Sequence, residues 1–119
     1  MTEGVKRFHV GDRMSEIAIH RGTVYLAGQV ASDGSQEIRG QTAQVLAAID
    51  RLLHEAGTDK AHVLRAQIFL ADIADFAAMN AVWDSWVVPG QTPARATVEA
   101  ALANADYKVE IQVVATAPA

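Results

Sequence analysis

The chain has no cysteine among its 119 residues. That absence removes disulfides, thiolate metal sites and a cysteine nucleophile together. Positive charge is also in deficit: ten lysines and arginines against fourteen aspartates and glutamates leave a formal charge of −4. No basic stretch offers the footprint of a nucleic-acid binder, and the charge balance disfavours a polyanion partner. Long apolar runs are missing too, and none approaches the roughly 20 residues a membrane-spanning helix needs. The first seven residues carry charge with no apolar core behind them. No signal peptide is therefore expected, and the cytoplasm is the expected location. No repeat, linker or low-complexity tract divides the chain, and residues 115–119 are expected to fray.

Half the residues are hydrophobic and a fifth are charged, the composition of an ordinary globular protein. The length suits one domain spanning residues 1–119. Residues 15–20 and 23–27 are short runs of β-formers split by Arg21-Gly22, which reads as a hairpin with a tight turn. An earlier strand is expected around residues 5–10, and Ala31–Gln36, with Asp33-Gly34-Ser35, reads as a loop. A helix is expected from about Gly40 to Ala56, because Val45, Leu46, Ile49, Leu52, Leu53 and Ala56 fall on one stripe. Gly57 stands where a helix stops.

Val63–Leu70 alternates as a strand, with Leu64, Ala66, Ile68 and Leu70 on one face. Asp72 suits an N-cap, and a second helix runs to about Val87 with Phe76, Met79, Trp83, Trp86 and Val87 on its apolar side. Pro89-Gly90 ends it. Strands at about 94–100 and 107–115 close the chain. The order β-β-β-α-β-α-β-β is an α+β pattern with both helices on one sheet face.

The final strand alternates Val109, Ile111 and Val113 with Lys108, Glu110 and Gln112. The strand before it alternates Ala94, Ala96 and Val98 with Arg95, Thr97 and Glu99. If each apolar set faces the helices, Arg95, Thr97 and Glu110 share the opposite face, joined by Arg65 and Gln67. One reading is a solvated sheet face, common in antiparallel sheets. The other is a subunit interface at which Arg95 and Glu110 meet a ligand, since the planar guanidinium grips a carboxylate through two parallel hydrogen bonds.

The run Pro93-Ala94-Arg95-Ala96-Thr97-Val98-Glu99-Ala100-Ala101-Leu102-Ala103, followed after five residues by Val109-Glu110-Ile111, resembles the signature of the RidA/YjgF family. Val24-Tyr25-Leu26-Ala27-Gly28-Gln29-Val30 is similar to the family's early strand, and residues 68–72 and 75–80 to its middle. The similarity covers about residues 13–115, and residues 80–87 are closest to the YoaB-like branch. The resemblance implies a chorismate-mutase-like fold, three copies closing into a homotrimeric barrel with ligand clefts between subunits. It also implies an activity, hydrolysis of 2-imino acids to 2-keto acids and ammonia, with small 2-imino and 2-keto carboxylates as ligands.

Carried over by position, Arg95 matches the arginine that grips the substrate carboxylate, and Glu110 the glutamate that positions the attacking water. Gly28 matches a glycine lining the cleft, and Thr97 stands where the deaminase that names the family has a cysteine. Met14 stands where that deaminase has a cleft tyrosine, so a thioether replaces a hydroxyl. The chemistry needs no metal or organic cofactor. A held carboxylate orients an already electrophilic imine carbon, and Glu110 serves as base or water-orienter.

Other chemistries fare less well. His9, His20, His54 and His62 lack paired metal-ligand spacing. Ser15, Ser32, Ser35 and Ser85 lack a nucleophile-elbow context. Trp83 and Trp86 suit the core or an interface. Glu99 suits a structural pair with a lysine or arginine, Gly28 also suits a plain strand end, and Arg95 with Glu110 also suits an interface ion pair. The competing function is a non-catalytic trimer that binds small carboxylates or partner proteins.

Overall fold

The computed structural model of the chain describes residues 4–117. Residues 1–3 and the last two of the tail expected to fray lie outside the described residues. Among the described residues seven strands form one mixed sheet: β1 (Lys6–Val10), β2 (Ser15–His20), β3 (Thr23–Leu26), β4 (Gln29–Val30), β5 (Val63–Leu70), β6 (Ala94–Glu99) and β7 (Val109–Thr116). Their order is β1-β2-β3-β7-β5-β6, and the short β4, absent from the expected order, also pairs with β7. Only β5 and β6 run parallel. Parallel neighbours require a crossover, and the second helix supplies it.

Local chemistry explains the element ends. Arg21 and Gly22 both have positive φ, 51° and 79°, the turn geometry whose twist matches a two-residue hairpin. Helix α1 (Ile38–Glu55) begins two residues before the expected start, because the Glu37 side chain accepts from the Gly40 N–H as its N-cap. At its far end Gly57 takes φ 82°. The Gly57 and Thr58 N–H groups bond back to the His54 and Leu53 carbonyls, closing the helix with a glycine cap. Asp72 caps a 3₁₀ turn at Ile73–Asp75 that leads directly into α2 (Phe76–Trp86).

The core lies between the helices and one sheet face. Val45, Leu46, Ile49, Leu52 and Leu53 of α1 pack with Met79, Trp83 and Trp86 of α2 against Ala66, Ile68, Leu70, Val109, Ile111, Val113 and Ala115. Three expectations need correction. A register shift between Val63 and Arg65 buries Val63 and turns Leu64 out to solvent, so Leu64 leaves the core set. Ala115 and Thr116 pair with Val24 and Thr23 and are not frayed. Among the described residues Glu99 forms no ion pair; its carboxylate accepts the Ile73 N–H at 2.8 Å and fixes the start of the 3₁₀ turn.

The fully buried Gln41 ties loops to this core. Its Nε2 donates towards the carbonyls of Gly34, Gln36 and Asp106, and its Oε1 accepts the Lys108 N–H. The loop before α1 and the loop before β7 are thereby held to one side chain. No helix among the described residues is long and apolar enough to cross a membrane.

Candidate functional site

Glu110 is placed by β7. Val109, Ile111 and Val113 are buried against the helices, so the alternation sends Glu110 to the open face of the sheet. It stands beside Phe69 of β5 and Val30 of β4. Gly28 makes the space it occupies. A Cβ at residue 28 would overlap Glu110 Oε2 and lie 2.9 Å from its Cδ. The glycine therefore leaves the room that the Glu110 carboxylate occupies, and just beyond it β4 pairs with β7.

Arg95 is placed by β6, on the other face. In the parallel register Arg95 pairs with Ala66, Thr97 with Ile68 and Glu99 with Leu70, and all three β5 partners are core residues. Arg95 and Thr97 thus lie on the helix side, while Ala94, Ala96 and Val98 are exposed on the open side. The expectation that Ala94, Ala96 and Val98 face the helices, with Arg95 and Thr97 sharing a face with Glu110, is overturned. The reason is positional. β6 is an edge strand, so its helix-side residues lie at the margin of the core, where Arg95 meets Phe76 and Trp83 of α2. Arg65, Gln67 and Gln112 do lie on the open face with Glu110.

On that flank the Arg95 guanidinium carbon sits 5.2 Å from the Trp83 ring centroid and 5.8 Å from that of Phe76. Among the described residues it forms no hydrogen bond and no ion pair. Partial burial lowers its pKa, and the nearby charge of Asp84 opposes that shift. A guanidinium remains charged under either influence. Thr97, one pleat further along the same face, has its buried Oγ1 without a hydrogen-bond partner. So does Asn80 Oδ1. Asn80 lies four residues after Phe76 and three before Trp83, hence on the flank of α2 that carries both rings. The sequence reading gave Asn80 no role. Its spacing from the two aromatics was the available signal.

Buried polar groups are nearly always paired, so the orphaned Thr97 Oγ1 and Asn80 Oδ1, with the unpaired guanidinium, make this side of the sheet the candidate site. The Arg95 guanidinium and the Thr97 hydroxyl can donate to a small carboxylate, whereas Asn80 Oδ1 can only accept, from water or from an N–H or O–H of the ligand. Met14 is half exposed, just before β2, and the thioether has no donor to offer. Among the described residues no group of three His, Asp or Glu side chains is arranged for a metal. His9 is bound to Glu55 at 2.6 Å and His62 to Asp59 at 2.9 Å. Trp86 is a core residue whose Nε1 donates to the Asp50 carboxylate.

Comparison with known proteins decides the family. A family model described as Endoribonuclease L-PSP matches residues 6–117. Escherichia coli YoaB, a RutC family protein, is 47% identical over 111 residues, covering 93% of this chain and 96% of that protein. This chain belongs to the RidA/YjgF family, in its YoaB-like branch. A crystal structure of a YjgF family member from Neisseria meningitidis superposes on this family member with a TM-score of 0.96 at 46% identity, covering 98% of both chains. A more distant relative is the chloroplastic Reactive Intermediate Deaminase A of Arabidopsis thaliana, 35% identical over 82 residues. That match covers 69% of this chain and 43% of the plant protein.

Proposed function

We propose that this RidA/YjgF family member hydrolyses reactive 2-imino acids to 2-keto acids and ammonia, in the cytoplasm, within clefts between the subunits of a homotrimer. The observation that carries the reading is Arg95: a partly buried guanidinium that lies over two aromatic rings and, among the described residues, has no hydrogen bond or ion pair. A substrate carboxylate fits that edge through two parallel hydrogen bonds. The deaminase named among the relatives supports the reaction class.

Arg95 and Glu110 lie on opposite faces of one sheet, so one subunit cannot set both on one small ligand. The cleft therefore takes Arg95, Thr97 and Asn80 from one subunit, with Glu110, Gly28 and Met14 from its neighbour. Water held by Glu110 adds to C2 of the imine while the C=N electron pair moves to nitrogen, and Glu110 takes the proton that water loses and passes it to that nitrogen, giving a carbinolamine. Glu110 then takes the hydroxyl proton and delivers it to nitrogen as the C–N bond breaks, leaving a 2-keto acid and ammonia. Most of the gain comes from orientation, with acid–base help from Glu110.

The test is ammonia release from freshly generated 2-iminobutyrate. The wild type is expected to exceed the spontaneous rate. Arg95→Ala is expected to lose about 10²–10³ in kcat/KM, the worth of two charge-assisted hydrogen bonds. Arg95→Lys recovers little, because an ammonium cannot reproduce the fork. A wild type that binds 2-ketobutyrate yet never exceeds the spontaneous rate would leave a non-catalytic carboxylate-binding trimer. Met14 in place of a hydroxyl residue is the feature favouring that second reading.

A further inference from the structure

Phe76 is a large aromatic side chain that the fold does not bury. The apolar stripe of α2 is Met79, Trp83 and Trp86, each under a tenth exposed, whereas Phe76 opens the helix at 41% exposure. Core packing gives no reason for a phenylalanine there. Arg95 gives one. Phe76 and Trp83 are two turns apart on α2, roughly 10.5 Å along the axis. The Arg95 guanidinium lies over both rings, 5.8 Å from the Phe76 centroid and 5.2 Å from the Trp83 centroid.

We propose that Phe76 and Trp83 are positioning residues that hold the Arg95 guanidinium by its π faces, keeping its N–H edge free for a bidentate carboxylate. The inference rests on the reading that Arg95 binds the substrate carboxylate. The physical logic is a choice of counter-partner. A protein carboxylate would orient the arginine equally well but would consume the donors a substrate needs. An aromatic ring attracts the cation through its quadrupole and leaves all five N–H donors unused. Held in this way, the long side chain loses its rotamer freedom during folding and not during binding, which strengthens each encounter with ligand. Trp83 is anchored in the core and forms the fixed wall; Phe76, at the surface, forms the outer one.

Phe76→Leu keeps apolar bulk and removes the quadrupole, and its partial exposure spares the core. The expected result is a rise of about 3–10-fold in the Kd for 2-ketobutyrate and in KM for the imine. The kcat at saturation is expected to stay within about twofold, since the rings act on binding and not on the attacking water held by Glu110. Phe76→Tyr restores affinity because it restores a ring. The thermal midpoint is expected to move little in either variant. A ligand-free readout is the Arg95 side-chain Nε–Hε NMR signal. Ring currents should displace it in the wild type and in Phe76→Tyr, and Phe76→Leu should return it towards the free-arginine position.

Unchanged affinity with an unmoved Arg95 signal in Phe76→Leu would overturn the inference while leaving the carboxylate reading intact. Equal loss in the tyrosine and leucine variants would reduce Phe76 to a steric wall and also overturn it. If the wild type and Arg95→Ala both fail to bind 2-ketobutyrate, the function reading falls and takes the purpose of the rings with it.

Discussion

Glu110 and Gly28 act as one unit, because the carboxylate occupies the space a side chain at residue 28 would need. Two substitutions separate its roles. Glu110→Gln keeps the shape and removes the base, so imine hydrolysis is expected to fall by about 10²–10⁴ while 2-ketobutyrate binding survives. A large fall in melting temperature with unchanged specific activity would instead assign Glu110 to a structural ion pair. Gly28→Ala needs no unusual backbone angle, and the obstructing atoms belong to a flexible carboxylate, so the chain is expected to fold. Its Cβ must push the Glu110 carboxylate aside, and activity is expected to drop towards that of Glu110→Gln. Parallel assays of the two variants check this, and near-normal turnover in Gly28→Ala would uncouple the pair.

The elements that carry the site are held by polar ties as well as by the core. Gln41 sits on the first turns of α1 yet joins Gly34, Gln36, Asp106 and Lys108, so it braces the start of β7, the strand that presents Glu110. Gln41→Leu fills similar volume but strands a buried N–H and up to three carbonyls. Such losses cost about 1–3 kcal/mol per buried group, softened where loops admit water, so a total of about 2–4 kcal/mol is expected in urea unfolding. A change below about 1 kcal/mol would show that water replaces the brace without cost. α2 works differently, with one stripe in the core and the adjoining flank carrying Phe76, Asn80 and Trp83 towards Arg95. A single helix thus packs the core and flanks Arg95, and Trp83 does both.

At the scale of the molecule the open sheet face matters most. Ala94, Ala96, Val98 and Tyr25 leave it more apolar than a solvated face, and copies of the chain can cover it. Three-fold closure would do so and would bring Arg95 of one subunit to Glu110 of the next. Light scattering at micromolar concentration is expected to give three times the chain mass. Complementation tests the shared site directly. Arg95→Ala and Glu110→Gln are each expected to be nearly inactive alone. Unfolded together in equal amounts and reassembled, they should regain activity, because about a quarter of the heterologous interfaces join an intact arginine to an intact glutamate. No recovery from well-formed mixed trimers would place the whole site within one subunit.

Periodicity along the chain was enough to read both helices, the hairpin at Arg21-Gly22, the exact span of β5 and the burial of Val109, Ile111 and Val113, since each follows from local patterning that the core enforces. The same alternation in β6 led to the wrong face. Alternation states only that Ala94 and Arg95 point opposite ways; which side is the core side depends on neighbours. As an edge strand bound parallel to β5, β6 takes its facing from Ala66 and Ile68, and its apolar set is turned outward where another subunit can cover it. The sequence by itself determined the family and the order of every element but β4, because these rest on residue types and spacing. Only the tertiary structure decided that Arg95 and Glu110 lie on opposite faces, that the guanidinium lies over Phe76 and Trp83, and that Asn80 Oδ1 is buried without a partner. Strand register and the packing of α2 on β6 bring together residues distant in the chain, and no local pattern encodes that distance.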